Sequence, residues 1–174
     1  NENQASDTAW ILLALEGYRG EQSPAHRQAL ESGRAWLAQA APAASQQDLA
    51  FALLLAARAG RPASELHVTS EKLRARQRPD GGWAQLDESP TDAFATGQSL
   101  YALALAGETA EQPAIQRGID WLVAHQRPDG GWTMASRASN DGSPGGSSKL
   151  LTPIECGAAS WATLGLAKLV PQSR

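Results

Sequence analysis

Apolar residues recur along this chain at helical spacing, in seven runs separated by Gly, Pro and Ser punctuation, and nowhere with the alternation of a half-buried strand. Ser6 caps a first helix over about 7–18, carrying Trp10, Ile11, Leu12, Leu13 and Leu15. Ser23-Pro24 starts a second helix over about 24–40, with Leu30, Trp36 and Leu37 as its apolar contacts. Ser45 or Gln47 opens a third that runs to about Ala59 and stops at Gly60-Arg61-Pro62. Helices over about 63–77, 91–106 and 112–126 follow, and the seventh runs from beyond Pro153 to about Lys168. The pattern predicts an all-α chain of about seven helices and no sheet.

These helices alternate in character. The first, third, fifth and seventh are rich in Ala and Leu on nearly every side, Leu49 to Ala57 being the extreme case, and a helix apolar all round has to be covered all round. The second, fourth and sixth carry charges such as Arg74, Arg76, Arg117 and Asp120 on one flank and are expected to face solvent. Ala95, Gly97, Gly157, Ala158 and Ala159 would let the inner helices approach closely. Inner helices wrapped by outer ones make an α/α repeat in which each hairpin buries its face against its neighbours.

One string occurs twice: Gln-Arg-Pro-Asp-Gly-Gly-Trp, at 77–83 and at 126–132, a spacing of 49. Proline restricts the residue before it, so Arg78 and Arg127 are expected to close their helices. Pro-Asp presets a turn, and the glycines at 81, 82, 130 and 131 allow positive φ. Gln77 and Gln126 stand where an amide can satisfy orphan groups at helix ends, and Trp83 and Trp132 return as apolar anchors. The string reads either as a structural turn of fixed length or as a ligand loop; two copies favour the turn.

Composition narrows the function classes. The 174 residues suffice for one domain with one core. The net charge of −3 and the scattered Lys and Arg give no footprint for nucleic acid. Cys156 is the single cysteine, so no internal disulfide forms, and it reads as a small core residue. The apolar run 49–57 is less than half a membrane span, so neither membrane association nor localisation is assigned. No signal peptide is visible, and the Asn-Glu-Asn start without Met is expected of a processed product or a piece of a longer protein.

The inner helices also begin alike, with Asp7, Asp48, Asp92 and Glu155 in their first turns, at spacings of 41, 44 and 63. An acid there stabilises the positive helix end by about 0.3–1 kcal/mol, so capping alone explains the pattern; catalysis is the alternative for the same four residues.

The stretch Arg117-Gly-Ile-Asp-Trp121-Leu122, then Gln126, then Gly130-Gly131-Trp132, resembles the QW motif of squalene-hopene cyclases and related class II terpenoid cyclases. The first copy keeps Gln77 and Trp83 but has Lys72 where Trp121 stands, and Gly33-Arg-Ala-Trp36-Leu37 repeats the front half only. The resemblance implies an α/α toroid in which the glutamine and tryptophan tie an outer helix to the next inner one. It also implies an acid, Asp-x-Asp-Asp commonly followed by Thr-Ala, that protonates an alkene or epoxide. Here that stretch reads Gln4-Ala-Ser6-Asp7-Thr-Ala9, so Ser6 stands at the donor position, and a hydroxyl cannot supply such a proton. Neither 46–48 nor 90–92 restores the set.

The related prenyltransferase β subunits bind zinc through Asp, Cys and His, but Phe94 stands where cysteine would follow Asp92, and His26, His67 and His125 fall on outer helices. No metal and no cofactor are therefore assigned. Glu155-Cys156-Gly157 is also not the sequence of a thioester toroid.

Residues 133–151, rich in Gly and Ser, read as a flexible inserted loop with Trp132, Met134 and Lys149 at its edges as ligand contacts should it close. Trp10, Phe94, Tyr101 and Trp161 sit on inner helices, where the resemblance implies cavity aromatics that attract carbocations. A family toroid uses about ten to twelve helices, so seven are expected to need a missing half or self-association through the concave side. The expected function is that of a cyclase-like repeat domain holding an apolar isoprenoid-type ligand. The alternative is a noncatalytic binding or interaction module of a multidomain protein.

Overall fold

A computed structural model describes residues 4–40, 45–134 and 152–170. Seven helices follow in order: α1 (Gln4–Gly17), α2 (Pro24–Gln39), α3 (Gln46–Arg58), α4 (Ala63–Arg74), α5 (Ala93–Leu105), α6 (Pro113–Ala124) and α7 (Thr152–Leu169). Among the described residues there is no strand, only one isolated antiparallel bridge between Ala84 and Thr91. Most of the inserted loop expected at 133–151, with Lys149, lies outside the described residues.

The helix starts are those that capping chemistry favours. Ser23 and Ser45 accept from the amides of His26 and Asp48, and Asp92 caps α5 by accepting from Ala95 at 2.8 Å. Pro24 and Pro113 occupy first-turn positions, where their missing N–H costs nothing.

Two layers result. α1, α3, α5 and α7 lie side by side in chain order, and α2, α4 and α6 back α1, α3 and α5. The layering agrees with the inner and outer helices expected from the sequence and is consistent with the helical ring that the resemblance implies. The core sits between the layers: Leu53, Leu73, Leu100, Leu103, Ile115 and Leu122 are wholly buried. Each such side chain contributes about 1.5–3 kcal/mol of transfer free energy.

α5 and α7 pack most extensively, because glycine removes the spacing that side chains impose. A Cβ on Gly97 would stand 2.3 Å from the carbonyl carbon of Trp161, and one on Gly165 would stand 2.9 Å from the Gly97 oxygen. Gly97 and Ala158 serve the close approach expected of them, and Gly165 is a third participant that the sequence pattern did not single out. Between α3 and α5 the Gln46 amide donates to the Ala95 carbonyl (3.1 Å) and to Ser99 Oγ (3.0 Å).

Several expectations are corrected. α4 and α6 end at Arg74 and Ala124, not at Arg78 and Arg127, because the amides of those arginines are diverted into the turns that follow. Cys156 is exposed rather than a core residue. α1 is not covered all round: Trp10 and Ile11 are 52% and 58% exposed, since α3 and α2 cover only part of its circumference.

Candidate functional site

Both copies of the duplicated string form the same turn. Arg78 N donates to Gly82 O at 2.8 Å and Gly81 N to Arg78 O at 2.9 Å; Arg127 N donates to Gly131 O and Gly130 N to Arg127 O, both at 2.9 Å. The aspartates close an Asx turn, Asp80 Oδ1 accepting from Gly82 N at 3.1 Å and Asp129 Oδ1 from Gly131 N at 2.9 Å. Only the first glycine of each pair needs a positive φ, +99° at Gly81 and +85° at Gly130. Gly82 is required for space instead, since its Cβ would stand 2.3 Å from Thr91 Cγ2.

The tryptophans anchor each turn to the helix before it. Trp83 Nε1 donates to Leu73 O and Trp132 Nε1 to Leu122 O, both at 2.8 Å, and both rings are buried. Trp83 N also donates to Thr96 Oγ1 at 2.9 Å, tying α4 to α5. The glutamines donate to the turns, Gln77 to Gly81 O at 2.7 Å and Gln126 to Gly130 O at 2.9 Å, not to their own helix ends as expected.

The copies differ in what covers them. The first is roofed by α6: Gln77 Nε2 donates to Ala114 O (2.7 Å), Arg117 donates to Gln77 Oε1 (2.5 Å) and Trp121 Nε1 to Asp80 Oδ2 (3.3 Å). A Cβ on Gly81 would stand 2.8 Å from the Arg117 oxygen, whereas one on Gly130 would meet no described residue within 4 Å. In the second turn Arg127 pairs with Asp129 at 2.9 Å and with Glu155 at 3.3 Å. The Gly131 amide and the Arg127 guanidinium together hold the Asp129 carboxyl below its usual range.

Of the four aromatic candidates, three converge. Trp10 on α1 lies 5.5 Å from Trp161 on α7, and Tyr101 on α5 lies 6.0 Å from the same ring, centroid to centroid. Phe51 on α3, which sequence reasoning did not select, completes the group at 5.5 Å from Trp10 and 6.1 Å from Trp161. Phe94 stands apart from this cluster, beside Gly157. Trp10, Tyr101 and Trp161 line a cleft of about 240 Å³ with Leu54, Leu105 and Leu164. The Arg58 guanidinium also reaches the cleft, donating to Leu13 O at 3.4 Å.

Gln98 shares the helical face of Tyr101 and Leu105 by its i+3 and i+7 spacing. It is 1% exposed, and both polar atoms of its amide lack a hydrogen-bond partner. Such an orphan costs about 1–3 kcal/mol, which is the kind of signal that no sequence pattern carries. A larger apolar groove, about 620 Å³, runs between α1, α2 and α3 with Ala9, Leu12, Leu37, Phe51 and Leu55 on its walls. The ion pair Arg34–Glu16, 2.8 Å long, stands on its rim.

The four acids do not converge into one set. Asp92 is buried as the α5 cap and accepts from Gln85 at 2.5 Å. Asp48 accepts from the buried Ser6 hydroxyl at 2.5 Å, which joins α1 to α3. Glu155 pairs with Arg127, and Asp7 lies exposed in the first turn of α1. His125 stacks on Trp121 at 4.0 Å, and its Nδ1 lies 2.7 Å from the Trp121 carbonyl. Among the described residues no three His, Cys, Asp or Glu side chains gather where a metal would sit, and no helix is long and apolar enough to cross a membrane.

Fold and site define a class of layered all-α proteins in which Trp-anchored turns follow the outer helices, the first of them tying α4 to the inner helix α5. The squalene-hopene cyclase C-terminal domain family matches residues 71–171, more than half of the chain, and the chain belongs to that family. The match includes both turns, α5, α6 and all of α7, whereas the 4–9 stretch compared above with the family's acid precedes it. No curated protein matches the chain.

Proposed function

We propose that this squalene cyclase-like domain holds an apolar isoprenoid-type ligand against Trp10, Tyr101 and Trp161 without itself supplying the proton that starts a cyclisation. The observation that carries the reading is the convergence of Trp10, Tyr101 and Trp161, from α1, α5 and α7, on one leucine-lined cleft to which α3 adds Leu54. Flat apolar walls with a few polar groups suit a hydrocarbon chain bearing one polar end.

Two features speak against cationic chemistry within this chain. A guanidinium beside the cleft repels a developing carbocation and suits a neutral or anionic ligand. Ser6 at the position of the family's donor is engaged in a hydrogen bond to Asp48, and a serine hydroxyl is too weak an acid to protonate a carbon-carbon double bond.

Titration with farnesol and geranylgeraniol, followed by tryptophan fluorescence and calorimetry, tests the reading. Saturable binding is expected, weakened roughly tenfold, about 1.4 kcal/mol, by Trp161→Ala or Tyr101→Ala and unchanged by Val68→Ala on exposed α4. Absence of saturable binding sinks the ligand assignment, and turnover of squalene by the chain alone would overturn the noncatalytic part.

The alternative, an interaction module, is favoured by a separate observation. Among the described residues, exposed large apolar side chains gather toward the two ends of the helical array: Trp10 and Ile11 on α1 and Trp36 on α2, Val123 on α6 and Leu164 on α7.

A further inference from the structure

We infer that the groove between α1, α2 and α3 binds a small, neutral, planar aromatic molecule with one N–H, a ligand of the indole class, in the place that a tryptophan of the chain takes one helix pair later. The template is the first anchored turn. Trp83 Nε1 donates to the Leu73 carbonyl near the end of α4, and its backbone N–H donates to Thr96 Oγ1 on α5. A Cβ on Gly118 would stand 2.9 Å from Trp83 Cζ3 and 2.9 Å from Leu100 Cδ2, so the ring lies beside Leu100 as well. The Trp83 indole thus fills the gap between α4 and the inner helix that follows it.

α2 and α3 keep this register without the tryptophan. Leu37 ends the Gly-x-x-Trp-Leu stretch of α2 as Leu122 ends that of α6, and Leu73 is its counterpart on α4. The Leu37 carbonyl accepts from the Ala40 amide at 3.2 Å, just as the Leu73 carbonyl accepts from the Arg76 amide at 3.2 Å. From Leu37 to Asp48 is 11 residues, against 19 from Leu73 to Asp92, and residues 38–47 include no aromatic side chain. The 44-residue spacing of Asp48 and Asp92 sets Ala52, Ala56 and Ala59 where α5 has Thr96, Leu100 and Leu103. All three alanines line the groove together with Leu37, so the bed of Trp83 is repeated there in smaller side chains.

The shape of the site favours a free molecule. Its volume of about 620 Å³ falls in the range of ligand pockets, roughly 300–1,000 Å³, and Ala9 and Leu12 of α1 add a third wall. An apolar space where a large side chain is wanting takes up an aromatic molecule of matching size. The charges at the rim are already matched: Arg34 pairs with Glu16 and Arg61 with Glu65, each at 2.8 Å, and Asp48 accepts from the Ser6 hydroxyl. The site therefore suits a neutral ring, with the Leu37 carbonyl as acceptor for its N–H. It shares no lining residue with the cleft of Trp10, Tyr101 and Trp161, so this ligand is independent of the isoprenoid reading.

Calorimetric titration of the 174-residue chain with indole, and with benzothiophene as the isostere that lacks the N–H, tests the inference. Saturable binding of one indole per chain is expected, with benzothiophene about tenfold weaker for want of the donor. Ala56→Leu, which gives α3 the kind of side chain that α5 has at 100, should weaken indole binding about tenfold or more while circular dichroism stays helical. Ala52→Leu fills the same groove should Ala56→Leu lose helicity. Tyr101→Ala, in the other cleft, should leave indole binding unchanged.

Failure to saturate at the solubility limit of indole overturns the inference, as does an affinity that the leucine variant does not weaken or that benzothiophene matches. Indole binding that Tyr101→Ala abolishes overturns it as well, since the molecule then sits in the aromatic cleft of the proposed function.

Discussion

The turns at 77–83 and 126–132 are the same seven residues folded the same way, yet one is roofed by a helix and no described helix covers the other. Their internal hydrogen bonds agree to within a few tenths of an ångström, from the Asx contact to the tryptophan N–H. Local sequence therefore sets the geometry of each turn, and the neighbouring helix decides how much that geometry contributes to stability. The same side chains are structural in one place and available for contact in the other.

The largest effects expected on this comparison come from the tryptophans, which both copies bury. Trp83→Ala removes a wholly buried ring and its hydrogen bond to the Leu73 carbonyl, which keeps only the Arg76 amide. A loss of about 3–5 kcal/mol is expected in denaturant unfolding. Trp132→Ala should fall at the lower end of the same range, because no described helix packs over its turn. Equal losses would show that the roof adds nothing.

The second glycines should separate the copies more sharply. In Gly82→Ala the new methyl meets Thr91 Cγ2 at 2.3 Å and Thr96 Oγ1 at 2.9 Å, inside a packed layer, and a cost of about 1–3 kcal/mol is expected. In Gly131→Ala the nearest atoms are the ends of the Arg127 and Asp129 side chains, at 3.0 and 3.2 Å, which move easily. A change within about 0.5 kcal/mol is expected there, and thermal unfolding of the two variants side by side reads the difference.

How far the sequence revealed this depended on the range of the interaction involved. Helix number, order and layering were legible because caps such as Ser23 and Asp92 and the Ala-Leu runs are local signals. The turns were legible because the string occurs twice. What escaped depends on contacts between distant segments. Gly165 reads as an ordinary helical glycine until it is seen against the Gly97 oxygen, and Phe51 as a core residue until its ring meets Trp10 and Trp161. Cys156 looked buried on composition, but it lies on the flank of α7 that no described helix covers. The four first-turn acids looked alike and turned out to have four different surroundings. Their partners, from Ser6 to Gln85 and Arg127, lie up to 42 residues away.

The smallest effect is the most selective, since it depends on the roof alone. Gln77 spends its amide on Gly81 and on Ala114 across the layer gap while its oxygen accepts from Arg117, so Gln77→Ala removes three hydrogen bonds and orphans a half-covered site. About 1–2 kcal/mol is expected, discounted for partial exposure. Gln126 makes one such bond, to Gly130, in solvent, and Gln126→Ala should cost no more than about 0.5 kcal/mol in dilute protein.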